Sequence, residues 1–276
     1  MKICVTGGCG FIGSALVKRL IRAEHEVTVL DTYFTGHPGN LGDALQECAV
    51  IQGSVTNWDA VRRAMSGCHM VYHLAARMDV SHKPRHAAAI MQTNVMGTVW
   101  VLTMARSMGV QRVIFASSAA VYGNVYPCVE DGPYCPISIY GASKSMAEDA
   151  CRVFNALGLD TVVLRIFNVY GNGGHGVVNV FQDGGNTIYG DGQQTRDFIH
   201  ISDVVNALVG AQEWDSAIYN IGTGIETSIL NLWAMIRGNA PPVFQPRVTN
   251  HINKSVADLG RVRRLWKARR KLEKCV

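Results

Sequence analysis

Up to Asn168, the apolar positions of the chain fall into two textures. Short runs at residues 2–6, 27–31, 49–52, 70–74, 112–117 and 161–166 are apolar almost throughout and rich in β-branched side chains. Such runs suit strands of a parallel sheet that is covered on both faces. Between them the apolar positions recur with helical spacing. Ile12, Ala15, Leu16, Leu20 and Ala23 line one face of the first helix. Asn57 is placed to cap a second helix running to Ser66. Longer helices are predicted over residues 85–108 and 140–157. Strand alternating with helix predicts an α/β fold built on a doubly wound parallel sheet.

After Asn168 the texture changes. Residues 171–176 and 184–192 are rich in glycine and the periodic stretches shorten, which predicts a small α/β lobe packed on the sheet. The expected division is a sheet domain over residues 1–166, with 197–212 packing back on it. Residues 167–196 and 213–276 then form the small lobe.

Length and composition fit this picture. The chain has 276 residues, 48% of them apolar and 17% charged, enough for one large core with a lobe and too apolar for wholesale disorder. No unbroken apolar run reaches the roughly 18 residues a bilayer span needs, so no membrane is expected. The first strand follows the initial Met at once, which leaves no room for a signal peptide. Eight cysteines are scattered without a CxxC pair, and nine histidines complete no metal spacing. Reduced thiols in a cytoplasmic compartment and no metal are the expectation. The net charge of +5 gathers in residues 261–274, which carry eight basic residues and Glu273. With Trp266 as the lone aromatic there, a solvated terminal segment is expected rather than a nucleic-acid surface.

The segment TGGCGFIG at 6–13 joins the first strand to the first helix. Gly7, Gly10 and Gly13 permit a tight turn, a close approach of backbone to a pyrophosphate, and close packing of helix on strand. The helix start then offers amides and a dipole to phosphates. Asp31, about 20 residues on at the end of the second strand, is placed for an adenosine ribose. Its charge would repel the extra phosphate of NADP, so NAD is favoured.

Tyr140 and Lys144 stand four apart at the start of a predicted helix, on one face. A phenol with a pKa of about 10 is a poor base at neutral pH, and a nearby ammonium stabilises the phenolate. Ser117 and Ser118 end the fifth strand, at the carboxyl edge where open α/β sheets bind ligands. A hydroxyl there can orient an alcohol for Tyr140.

These motifs in this order resemble the extended short-chain dehydrogenase/reductase family, in its NAD-dependent epimerase/dehydratase branch, over nearly the whole chain. HLAA at 73–76, TNVMGT at 93–98, RIFNVYG at 165–171, GDGQQTRDFIHISD at 190–203, YNIG at 219–222 and SVAD at 255–258 carry the resemblance further. It implies a Rossmann sheet with a substrate-binding lobe. It implies Ser118, Tyr140 and Lys144 as catalytic residues. It implies NAD contacts from Gly7, Gly10, Phe11, Ile12, Gly13, Asp31, Ser54, Val55, Leu74, Ala75, Ala76, Asn94, Ser117, Tyr140 and Lys144. Ser118, Asn168, Val178, Arg196 and Arg247 are implied substrate contacts, for which an arginine fork suits a diphosphate. The implied substrate is a nucleotide-diphosphate sugar, a UDP-sugar, and the implied assembly is a homodimer pairing the helices over 85–108 and 140–157.

Within the branch, dehydratases carry an Asp-Glu pair just after the catalytic Ser or Thr, and decarboxylases a glutamate two residues after it. Here Ala119 and Ala120 follow Ser118, which points by resemblance to 4-epimerases resembling those of UDP-glucose. Other departures lie in the lobe. The stretches 172–177, 181–187 and 236–247 are short, and Asn250 and His251 stand where an acid normally follows the last arginine. Ser54 replaces an aspartate beside the adenine. Ser255 is small enough to admit an N-acetyl group on the sugar. The alternatives are an NAD-dependent nucleotide-sugar reductase, dehydrogenase or dehydratase, and a non-catalytic NAD-binding sensor or scaffold on the same fold.

Overall fold

The computed structural model describes residues 1–78, 84–247 and 251–274. Its centre is a seven-stranded sheet in which every neighbouring pair is parallel. From one edge the order is β3 (Ala49–Gln52), β2 (Glu26–Asp31), β1 (Lys2–Thr6), β4 (Met70–His73), β5 (Arg112–Ser118), β6 (Asp160–Ile166) and β11 (Ile218–Ile221). The apolar runs become strands because their side chains are buried on both faces. Ile3, Val5, Val27, Val29, Ile114 and Val162 enter one core, and Cys4, Val71, Val113, Phe115 and Val163 enter the other.

Helix α1 (Phe11–Ile21) covers the first core with Leu16, Val17 and Leu20. It ends earlier than the spacing predicts, so Ala23 is exposed. Glu24 takes a positive φ of 58° and the amide of His25 closes back on Leu20 O, a stop no periodicity reveals. Helix α2 (Trp58–Ala64) is capped as expected, Asn57 Oδ1 accepting from the amide of Ala60 at 3.0 Å. The helix expected over 85–108 is in three parts: α3 (Ala87–Met91), a π-turn over Gln92–Met96, and α4 (Gly97–Ser107). By length and composition the stretch Ala87–Ser107 could cross a bilayer. Here Ile90, Val101, Leu102, Met104 and Ala105 are buried, the α4 residues within the second core. Helix α5 (Ile139–Ala156) starts at Ser138, whose hydroxyl accepts from the amide of Gly141.

The remaining elements are short. β7 (Asn168–Tyr170) pairs with β10 (Phe198–His200), and α7 (Ile201–Gly210) packs on α1. α6 (Val177–Gln182), β8 (Thr187–Tyr189), β9 (Thr195–Arg196), β12 (Thr227–Ser228), α8 (Ile229–Arg237), β13 (Val243–Gln245) and β14 (Lys254–Ser255) form the lobe. Its core is Tyr170, Val178, Phe181, Ile188, Leu232 and Trp233. The expected lobe boundary needs correction at 213–221, and at 259–266, where Val262 is buried in the main core with Leu259 and Trp266 packed against it. β11 is the seventh strand of the main sheet, and Trp214 and Tyr219 lie in the main core. The resemblance implies a strand at YNIG, but four residues carry too little period to show which sheet it joins. Seven cysteines are free thiols, and no metal-binding cluster occurs among the described residues. Cys275 lies outside them.

Asp197 ties the lobe to the sheet. Its carboxylate is fully buried and accepts from Thr223 N at 2.8 Å, Thr223 Oγ1 at 2.6 Å, Gly224 N at 2.8 Å and Ala257 N at 3.2 Å. Burial raises its pKa, and these donors oppose that rise. Asp197→Ala leaves buried amides without an acceptor, and should cost about 3 kcal/mol in urea unfolding.

Candidate active site

The end of β1 makes the first part of the site. Gly7 has φ +73°, and a Cβ there would meet Ala75 N at 2.8 Å. A Cβ on Gly13 would strike the carbonyl of Gly7 and reach Gly8 Cα at 2.8 Å. Only glycine lets the β4 exit, the turn and α1 approach so closely. Gly10 caps α1 without any side chain, so the first-turn amides face the cleft. Asp31 Oδ2 accepts from Cys9 N at 2.9 Å and Oδ1 from Tyr33 N at 2.8 Å, which locks the carboxylate beside the turn. Asn40 Nδ2 donates to Cys9 O at 2.8 Å and fixes the same loop from outside. A separate cleft of about 710 Å³ lies between Phe11, Lys18, Asn40, Tyr170 and His200, and Gly7, Asp31, Ser118, Tyr140 and Lys144 do not line it.

Below the turn, His73 is buried and bridges Thr6 Oγ1 at 2.7 Å and Thr98 Oγ1 at 2.9 Å. Burial, with Lys144 nearby, pushes its pKa down to about 3, so the ring is neutral. Thr6 Oγ1 also accepts from Ala75 N at 3.2 Å. The β4 exit is thus fixed by side chains from three elements.

Ser118, Tyr140 and Lys144 come together at the carboxyl edge of β5, as expected. Lys144 Nζ donates to Ala116 O at 2.8 Å and lies 4.7 Å from the Phe115 ring centroid and 5.9 Å from that of Tyr140. Burial pushes the ammonium down to about 8, while Glu148 and Cys151 pull it back up. Tyr140 is buried, which raises its phenol, and the Ser118 hydroxyl pulls it down. The expectation that the ammonium lowers the phenol is therefore modified. In this structure Lys144 is anchored on a backbone carbonyl, and burial is the larger influence on Tyr140.

The side chains of several expected cofactor residues are engaged within the protein. The Ser117 hydroxyl donates to Glu148. Asn94 is buried: Oδ1 accepts from Arg77 N at 2.7 Å, and Nδ2 donates to Arg77 O at 3.0 Å and to Ser143 Oγ at 2.9 Å. It clamps the β4 exit to α5, and the π-turn is what brings it there. Val55 is buried against Gly97, Ile12 and Leu74 pack on the main core, and Ser54 bonds Thr56 at 2.7 Å. Phe11 and Ala76 remain partly exposed.

In the lobe, Asn168 Nδ2 donates to Asp197 O at 3.2 Å. Val178 was expected at the substrate, but its side chain lies in the lobe core with Tyr170 and Phe181. Arg196 donates to Thr195 O at 2.7 Å, pairs with no carboxylate among the described residues, and is pushed by burial down to about 10. Arg247 is exposed and pairs with Asp191 at 3.2 Å. β14 runs beside β9 and sets Ser255 opposite Arg196. Burial lowers the pKa of His251, and Arg196 and Arg247 nearby lower it further; Asn250 falls outside the described residues.

Sequence reasoning missed the buried group beneath these residues. Arg165 and Glu148, 1% and 0% exposed, form an ion pair at 2.8 Å. Glu148 also accepts from Tyr134 Oη at 2.9 Å, and Arg165 donates to Tyr122 Oη at 2.8 Å and Glu130 O at 3.0 Å. Glu148 stands one turn beyond Lys144, and that spacing was the available signal.

Comparison with known proteins agrees with this geometry. The chain is 35% identical over 286 residues to the UDP-glucose 4-epimerase of Mycolicibacterium smegmatis, covering 95% of this chain and 91% of that protein. It is 33% identical over 254 residues to UDP-glucuronic acid decarboxylase 1 of Danio rerio, covering 86% of this chain and 60% of that one. The crystal structure of a UDP-glucose 4-epimerase from Thermotoga maritima with UDP-glucose superposes with a TM-score of 0.93 at 33% identity, covering 100% of this chain and 96% of that one. Residues 3–222 match the NAD dependent epimerase/dehydratase family, and the chain belongs to that family.

Proposed function

We propose that the chain is a nucleotide-sugar 4-epimerase acting on UDP-glucose and UDP-galactose or their N-acetyl forms. The observation that carries this reading is the meeting of Ser118, Tyr140 and Lys144 beside the glycine turn, with alanines at 119 and 120. Elimination or decarboxylation needs a further carboxylate at the sugar. The two buried glutamates of this region, Glu130 and Glu148, are held by Asn220 N and by Arg165. The M. smegmatis and T. maritima relatives support the same reading.

The cradle fits NAD. Gly7 and Gly13 leave the space a Cβ would fill, the uncapped start of α1 offers amides to a pyrophosphate, and Asp31 is fixed at the ribose end. When bound, NAD supplies the acceptor and later the donor of the carbon-4 hydride. Tyr140, as phenolate, takes the proton of the carbon-4 hydroxyl and afterwards returns it. Ser118 holds that oxygen against the phenol, and Lys144 stabilises the negative charge. Arg196 and Arg247, with Asn168, would hold the diphosphate and sugar while the keto sugar turns about its phosphate link.

A homodimer belongs to this reading. Met146 and Val153 of α5, Leu157 just after it and Met96 just before α4 are exposed. Light scattering should give twice the chain mass at micromolar concentration. Free thiols among the described cysteines suit a reducing, cytoplasm-like compartment.

Proton NMR of reactions with UDP-glucose, UDP-galactose, their N-acetyl forms and UDP-glucuronate tests the reaction. Inversion at carbon 4 without net NADH is expected; carbon dioxide release from UDP-glucuronate would reassign the enzyme as a decarboxylase. Tyr140→Phe should lower kcat about a thousandfold while NAD stays bound. NAD should bind more tightly than NADP in fluorescence titration, and Asp31→Asn should narrow that gap.

A further inference from the structure

We propose that Glu148 is a positioning residue that sets the register of α5 on β5, and so holds Tyr140 and Lys144 opposite Ser118. The proposal rests on the Ser118–Tyr140–Lys144 reading above. Tyr140, Lys144 and Glu148 recur every four residues and therefore share one face of α5. That face meets three consecutive residues of β5: Tyr140 faces the Ser118 hydroxyl, Lys144 Nζ bonds Ala116 O, and Glu148 takes the Ser117 hydroxyl. A slip of α5 along β5 breaks all three contacts at once.

Besides Ser117, two further side chains hold Glu148. Arg165 of β6 approaches it with Nε at 3.0 and 3.1 Å and Nη2 at 2.8 Å. Tyr134 closes it from the loop after β5. Beyond Arg165, Tyr122 Oη donates to Asn220 Oδ1 at 2.7 Å, and Asn220 N donates to Glu130 at 3.0 Å, which brings in β11. A well-packed apolar pair of similar volume would stabilise a core as well as a buried ion pair does. What the charged group adds is direction: its hydrogen bonds fix one register where greasy contacts allow several.

Glu148 also acts on Lys144 by charge. The groups around that ammonium are Glu148 and Cys151 of α5, Tyr140, the Ala116 carbonyl and Phe115 ring of β5, and neutral His73 of β4. Glu148 heads those that favour the charged form. Removing its charge must therefore lower the pH at which Lys144 loses its proton.

The test uses the full chain with Ser117→Ala, Glu148→Gln, and Glu148→Gln combined with Arg165→Met. The titration of Lys144 is followed by NMR of ¹³C-labelled lysine, assigned by its loss in Lys144→Arg, and needs no turnover. Ser117→Ala should fold and bind NAD as the parent does, with kcat down about tenfold and KM unchanged. In Glu148→Gln, Lys144 should titrate at lower pH, and the alkaline limb of kcat should move with it. Should Arg165, left without its partner, prevent folding, the double variant gives the same reading with both charges gone. Parental kcat in Ser117→Ala, or parental Lys144 titration in a folded variant lacking Glu148, overturns the proposal. Absence of UDP-sugar turnover by the parent chain would instead overturn the functional reading, and the lysine titration would still judge Glu148.

Discussion

At the end of β1 three backbone segments meet with no side chain between them. The β4 exit passes Gly7, the carbonyl of Gly7 passes Gly13, and α1 begins in the space that remains. Each neighbour is then fixed by a polar contact of its own: Asp31 on Cys9, Asn40 on Cys9, Thr6 on Ala75. The order of the strands follows from the same point. β1 lies at the middle of the sheet with β2 on one side and β4 on the other, so the turn opens where the strand order reverses. The glycine turn and the proposed catalytic edge at β5 are therefore brought to one edge of the sheet by topology, before any side chain is chosen.

The parts written into short stretches were legible in the sequence. β1, the glycine turn and Asp31 lie within one span, and their spacing carries the whole geometry. Tyr140 and Lys144 were legible because a helix turns four apart into side by side. The parts that depend on partners far along the chain were not. Ser117 looks like a cleft residue until Glu148, 31 positions later, takes its hydroxyl. Asn94 looks like a ligand contact until the π-turn swings it to Arg77 and Ser143, 49 positions on. β11 is four residues long and joins the sheet through β6, some fifty positions earlier; nothing in IYNI says so. Val178 shows the reverse failure, a family position whose side chain the lobe needs for its own core.

The two halves of the site are built on different principles. Around the glycine turn the backbone itself supplies the binding groups, and side chains such as Asn94 and His73 hold it in shape. In the lobe, the proposed binding groups are arginine side chains, Arg196 on the two-residue β9 and Arg247 just beyond the three-residue β13. Short strands with few ladder bonds hold geometry less firmly than a parallel sheet buried on both faces. On the proposed reading, catalytic and cofactor geometry would be set by the parallel sheet, and discrimination among sugars would fall to the lobe.

Arg196 carries one implication for that lobe. Its guanidinium is largely withdrawn from water, touches a neighbouring carbonyl, and has no carboxylate opposite it among the described residues. A charge so placed weakens the fold around it until an anion arrives, because desolvation is unfavourable while the compensating attraction is missing. On the proposed reading, the diphosphate of a sugar nucleotide would act as a missing piece of the lobe's own interior. Ligand capture and consolidation of the lobe would then be one event, and the affinity for the nucleotide would partly be the strengthening of the protein that holds it.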